Sequence, residues 1–139
     1  MAQLHVDIVS AEGQIYSGAA TMVFAPAQMG EVGIAVRHAP LLTRLKPGVV
    51  RIQHESKDEE AIFVSGGILE VQPNLVTILA DTAERAADID EAAANEAKRL
   101  AEDRLANAHA SIDLARAQAE LIEAAARLHA LKMLKGKSH

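Results

Sequence analysis

The chain has no cysteine and no tryptophan, and its three aromatics are Tyr16, Phe24 and Phe63. The first absence removes disulfides and thiolate chemistry and fits a reducing compartment. The second removes the stacking platforms on which single-stranded nucleic acid binds. Nor does a net charge of −5 offer the basic stripe that a polyanion requires, so nucleic acid is excluded as a partner. No apolar run approaches the roughly 20 residues of a membrane-spanning helix. The prefix Met1-Ala2-Gln3-Leu4-His5 has no basic start followed by an apolar run, so no signal peptide is expected. A soluble protein fits these absences.

Proline and glycine are also missing, but only from one half. All four prolines lie at or before Pro73, and after Gly67 no glycine occurs until Gly136. The early part is therefore cut into short pieces by turn residues, and the stretch from Asp88 to Leu134 has nothing that must bend. Charge is uneven too, −4 over residues 1–87 and −1 over residues 88–139.

The first half reads as strands. Leu4, Val6 and Ile8 alternate with His5, Asp7 and Val9 before Glu12-Gly13, and a β-prone run from Thr21 to Ala25 stops at Pro26. Val32–Val36, Leu41–Leu45, Val49–Gln53, Ala61–Ser65, Ile68–Gln72 and Leu75–Ala80 follow, with turn residues between them. Turns every 8 to 12 residues or so predict an antiparallel sandwich or flattened barrel. Val76-Thr77-Ile78-Leu79-Ala80, apolar on both faces, is expected near the centre, and Ser65-Gly66-Gly67 reads as a hairpin turn.

After Asp88 the period becomes helical. Asp88 is a candidate cap with Glu91 three residues on, and Asp90 adds charge at the positive end of the dipole. Ala93, Ala97, Leu100 and Ala101 share one face. From Ser111, a second candidate cap, Leu114, Leu121, Ala125 and Leu128 form a stripe beside Ile112, Ala119, Ile122 and Ala126. Lys132, Lys135 and Lys137 close the segment, where cations suit a helix C-terminus. Between the stripes, Ala106–Ala110 holds only Asn107 as a mild breaker. Two shapes stay open: an antiparallel hairpin, or one helix of about 45 residues and roughly 70 Å. Fifteen alanines from Asp88 onward imply shallow docking, because an alanine methyl buries far less than the roughly 1.5–3 kcal/mol of a leucine. A mobile hairpin is expected.

Residues able to make and break covalent bonds do not converge. The six histidines, His5, His38, His54, His109, His129 and His139, show no metal-ligand spacing, and there is neither a nucleophile elbow nor a phosphate-cradling loop before a helix. An independent enzyme is not expected, and no cofactor is. A free-standing adaptor or chaperone with a β-domain and helical hairpin is the alternative; it would show apolar tips and self-association.

One stretch is more particular. Gly30-Glu31-Val32-Gly33-Ile34, His38-Ala39-Pro40-Leu41-Leu42-Thr43 and Lys46-Pro47-Gly48 resemble the epsilon subunit of bacterial rotary F-type ATP synthase. The resemblance continues through Ser10-Ala11-Glu12, Ser17-Gly18, Ser65–Val71, Val76–Asp81 and Glu96-Ala97-Lys98-Arg99, so it covers nearly the whole chain.

The resemblance implies an α+β protein: a β-sandwich over 1–85 and a two-helix antiparallel hairpin over 88–135. It implies a non-catalytic central-stalk subunit of a proton-translocating synthase, with gamma, the ring of c subunits, and alpha and beta as partners. Membrane association would come only through the complex, at the cytoplasmic face of the bacterial inner membrane. Met29, Gly30, Glu31, Arg37 and His38 match the ring-facing loop, although Val36-Arg37 stands where relatives commonly carry Pro-Gly. Rising helices would suppress ATP hydrolysis, with Arg104, Arg116, Arg127 and Lys132 meeting acidic surfaces on alpha and beta. A nucleotide site of some relatives maps onto Ile89 and Asp90, with Arg127 opposite. This chain has Ala93 where the motif has arginine, and Glu123 adds a like charge, so ATP affinity is expected to be weak or absent.

Overall fold

The computed structural model describes residues 3–56 and 58–136, with the side chains of residues 135 and 136 left aside. Met1, Ala2, Lys57, Lys137, Ser138 and His139 lie outside the described residues, as does the side chain of Lys135. Ten strands come first: β1 Leu4–Ser10, β2 Gly13–Ala20, β3 Met22–Ala27, β4 Gly30–Ala35, β5 Leu41–Leu45, β6 Gly48–Gln53, β7 Glu59–Val64, β8 Gly67–Gln72, β9 Leu75–Ala80 and β10 Ala83–Arg85. A single 3-10 turn, Ala86–Asp88, leads to helices α1 Glu91–Ala106 and α2 Ser111–Gly136.

The strands make one sheet in the order β10-β7-β6-β3-β5-β8-β9-β1-β2, with β4 beside β3. It folds over at β3, which pairs with β6 along Met22–Phe24 and then with β5 at Ala27↔Leu45. Pro26 sits inside β3 rather than ending it. The ladder to β6 has already stopped there, so its missing N–H costs nothing, and its carbonyl accepts from Lys46 N at 3.0 Å. Layers β10-β7-β6-β3-β4 and β5-β8-β9-β1-β2 enclose Leu4, Val6, Ile8, Val23, Val50, Ile52, Ile62, Val64, Leu69, Val71, Val76 and Ile78. The Arg85 guanidinium nearly closes the remaining edge, donating to the Ile15 carbonyl at 2.7 Å.

Two further features of the sheet differ from the sequence reading. Strand β1 pairs with β9 in parallel, so the sandwich is not antiparallel throughout. Ser65-Gly66 is no hairpin turn, because β7 pairs with β6 and β10 whereas β8 pairs with β5 and β9. The chain crosses between layers there, pinned by the Ser65 hydroxyl, which accepts from Thr82 N at 2.9 Å. Gly67 begins the next strand at φ 140°, where a Cβ would lie 2.1 Å from the Leu79 carbonyl oxygen.

The long helical stretch bends at residues 107–110, so the structure adopts the hairpin. Asn107 is sufficient to end α1: its backbone N–H and its Nδ2 both donate to the Asp103 carbonyl, at 3.2 and 2.8 Å. At the other end the cap is Asp90, not Asp88, which belongs to the preceding 3-10 turn. The Asp90 carboxylate accepts from Ala93 N at 3.1 Å.

Candidate functional site

Residues assigned to one loop occupy both ends of the sandwich. Gln28-Met29 turns between β3 and β4, with Gly30 at φ 133° and Met29 96% exposed at the tip. Glu31 is not free: Arg51 Nη2 donates to its Oε1 at 3.2 Å and Nη1 to Glu59 Oε1 at 3.4 Å, while the guanidinium lies 4.2 Å above the Phe24 ring. Strand β4 then runs six residues, about 20 Å at roughly 3.3 Å each, before Arg37 and His38 are reached. Met29, Gly30 and Glu31 therefore share one end, and Arg37 and His38 the other. A single flat partner cannot meet both groups end-on.

Arg37 itself occupies the left-handed region, φ 69°, the conformation that glycine adopts without cost. Its N–H donates to the Pro73 carbonyl at 2.7 Å, which holds the turn despite the side chain. His38 Nδ1 donates to the Ala39 carbonyl at 2.7 Å. The substitution of Val36-Arg37 for Pro-Gly thus leaves a formed turn and loads strain onto one residue.

The outer faces of the two layers are unlike. Val49 and Phe63 of the first layer are covered by Ala130 and Leu131 of α2, with Ala86, Ile89 and Ala94 completing the cluster. The outer face of β5-β8-β9-β1-β2 carries no helix among the described residues, and its registers align Ile68, Leu79 and Val9 in one row and Leu42, Glu70, Thr77, Asp7 and Ser17 in the next. Leu42 is 69% exposed. In the second row the Ser17 hydroxyl donates to Asp7 Oδ1 at 2.7 Å and His5 Nε2 lies 3.0 Å from the same oxygen. Ser17 thereby holds the Asp7 carboxyl below the usual carboxylate range, His5 assisting and partial desolvation opposing. The site residues read from the sequence omit this face. Its signal was there, in strands such as Leu75–Ala80 that are apolar on both faces.

In the hairpin the contact is made by alanine. Ala94 and Ala101 of α1 and Ala117 and Ala124 of α2 are buried at seven-residue spacing. The predicted stripes are buried only in part: Ala101 is buried and Leu121, Ala126 and Leu128 are half-buried, but Ala93 and Ala97 are exposed, Ile112 is 72% exposed, and Leu114 and Ile122 also face out. Small side chains pack closely, so the seam selects alanine and leaves the larger aliphatics outside.

The candidate cations of the hairpin divide. Arg104 pairs with Glu120 across the two helices. Arg116 lines an open cup at the tip with Arg104, Asp113 and Glu120, and Lys132 is exposed. Arg127 faces the sandwich, its Nε donating to Glu84 Oε1 at 2.8 Å and its guanidinium 4.5 Å above the Phe63 ring. Ile89, Asp90 and Arg127 do meet, around a groove of about 300 Å3 that Glu84, Ala93 and Ala97 also line. Glu123 does not line it; Glu84 supplies the carboxylate. With Ile89 buried, Asp90 capping α1 and Arg127 bound to Glu84, the groove has no free cation for a polyphosphate among the described residues.

No group of three or more histidines, cysteines or carboxylates among the described residues could hold a metal ion. No described helix is long and apolar enough to cross a membrane.

Comparison with known proteins adds the family. A family model for the β-sandwich domain of the ATP synthase delta/epsilon chain matches residues 3–86, and one for its long α-helix domain matches residues 87–132. The chain is 60% identical over 134 residues to the ATP synthase epsilon chain of Nitrosococcus oceani, covering 96% of each sequence. It is 59% identical over 138 residues to that of Alkalilimnicola ehrlichii, covering 99% of each. Among solved structures it is similar to a chain of the Euglena gracilis mitochondrial ATP synthase, with a TM-score of 0.83 at 19% identity over 94% of this chain and 82% of that one. A chain from the central stalk and c-ring of the Tetrahymena thermophila enzyme gives 0.61 at 13%, over 92% and 96%. At such identities the structural likeness speaks for the fold.

Proposed function

The chain belongs to the ATP synthase delta/epsilon family, as an epsilon chain, and from that premise we propose that it is a non-catalytic rotor subunit whose hairpin restrains ATP hydrolysis. The Euglena gracilis neighbour comes from an assembly of OSCP, F1 and c-ring, which supports a position between the catalytic head and the membrane ring. The sandwich is the anchor. Its outer face, free of any described helix, with Leu79, Val9 and Leu42, suits a protein partner such as gamma, and the exposed Met29 tip suits the ring. The chain would then be peripheral, held at the cytoplasmic face of the bacterial inner membrane through its partners.

One observation carries the regulatory part: a firmly built sandwich bears a thinly attached arm. Apart from Arg127, α2 meets the sandwich through the buried Ala130 and Leu131, with Ala126, Leu128 and Met133 only partly buried against the same cluster. At roughly 1.5–3 kcal/mol for a buried leucine and less for alanine, docking is worth a few kcal/mol, a range that binding to a partner can reverse. Once released, Arg104, Arg116, Arg127 and Lys132 become available for acidic surfaces of alpha and beta. The test is reconstitution with gamma and the catalytic subunits, comparing the full chain with one truncated after Ala87. Retained gamma binding with faster hydrolysis by the truncated form supports the reading, and unchanged hydrolysis removes its regulatory part.

A further inference from the structure

At the Met29 end three connections meet, and the backbone fixes their spacing. Gln28 N donates to the Arg44 carbonyl at 2.9 Å, Lys46 N to Pro26 at 3.0 Å, and Asp81 N to Gly66 at 2.9 Å. Between them opens a groove of about 470 Å3 whose lining includes Gln28, Arg44, Leu45, Lys46, Ile68 and Asp81. Arg44, near the end of β5, and Lys46, just beyond it, both line the groove and are both exposed. Within the sandwich Arg51 and Arg85 are bound to carboxylates, but neither Arg44 nor Lys46 has an ion pair among the described residues. Asp81 has none either.

We propose that this groove receives a turn of a partner protein that carries an aspartate or glutamate, the carboxylate lying between Arg44 and Lys46. This rests on the reading that the Met29 end faces the ring. The lining decides the class of ligand. Two cations against one anion favour a singly charged carboxylate, and Asp81 repels the phosphates of a lipid surface while accepting a backbone N–H from a peptide turn. Leu45 and Ile68 give the recess an apolar floor, continuous with the outward row of Ile68, Leu79 and Val9. A recess with an apolar floor and mixed rim fits a side chain and its turn better than a planar array of headgroups.

The test uses the full chain bound to gamma, titrated onto ring-containing membranes stripped of their own F1. The variant R44A/K46A should bind about tenfold more weakly at low salt, the gap narrowing at high salt, while gamma affinity stays unchanged. Asp81→Asn should weaken ring binding as well. Equal affinity of wild type and double variant overturns the proposal, as does tighter binding by D81N or loss of gamma binding by R44A/K46A. Protein-free vesicles containing anionic lipid separate the sources: binding there that depends on Arg44 and Lys46 would assign the groove to phosphate and overturn the proposal. Wild type that binds neither gamma nor membranes would instead sink the rotor reading itself.

Discussion

Arg127 of the second helix donates its Nε hydrogen to Glu84 of the sandwich at 2.8 Å, and the same guanidinium lies 4.5 Å above the buried Phe63 ring. An otherwise alanine-rich interface is thereby fastened by one cation. A partly buried cation–π contact is worth about 1 kcal/mol or somewhat more, and a half-exposed ion pair about 0.2–1 kcal/mol. Arg127→Ala should therefore speed amide exchange in Ala124–Leu131 roughly tenfold and leave β8 and β9 unaffected. Glu84→Gln should do the same more weakly. Exchange equal to wild type in both variants would mean that the alanine seam and Leu131 hold the helix without help.

The same pair bears on nucleotide. Because Arg127 is bound to Glu84 and position 93 is alanine, the isolated chain should show no saturable ATP binding at micromolar concentration by titration calorimetry. Adding a guanidinium and removing the competing carboxylate, in A93R/E84Q, should create measurable affinity. Micromolar binding by the wild type would contradict this account of the groove.

Arg37 pays a conformational cost for its left-handed backbone, roughly 1–2 kcal/mol by the usual penalty for a residue bearing Cβ. Arg37→Gly should relieve it, offset in part by the greater freedom of glycine in the unfolded chain, for a net gain near ~0.5–1 kcal/mol in denaturant unfolding. A loss of stability would show that the Arg37 side chain contributes contacts of its own.

The Asp7 carboxyl is depressed in the folded chain, first by the Ser17 hydroxyl and then by His5. A depressed acid adds stability above its unfolded pKa of about 3.9 and loses it as pH falls through the lower folded value. Asp7→Asn should cost less than about 1 kcal/mol at neutral pH, since the group is partly exposed, and the difference should vanish in the acid limb. A difference that grows as pH falls would reverse the assigned sign.

What was legible in the sequence follows from how local the cause is. Strands β5, β6, β8 and β9 are set off by nearby proline and glycine turns, so their bounds are nearly those read from the chain. Strand β2, Gly-Gln-Ile-Tyr-Ser-Gly-Ala-Ala, is too poor in β-branched residues to declare itself, and β10 is three residues long. A register irregularity between Ile8 and Val9 also breaks the alternation that would have linked β1 to β2. The parallel β1–β9 pair joins residues some seventy apart, which no window of sequence contains. In the candidate site, the family motif identified Met29–His38 as a unit, but the strand inside it separates the ends. Periodicity placed Ala101 correctly but put Ile112 and Ile122 on the packed face in place of Ala117 and Ala124, because the isoleucines have the hydrophobicity of a core and the alanines have the size that the seam requires.

The central claim is an anchor with a releasable arm, and ATP hydrolysis measures it directly. Gamma and the catalytic subunits are assembled with either the full chain or the chain ending at Ala87, with equal occupancy verified. The truncated complex should hydrolyse ATP severalfold faster than the full one. Equal rates at equal occupancy would contradict the account.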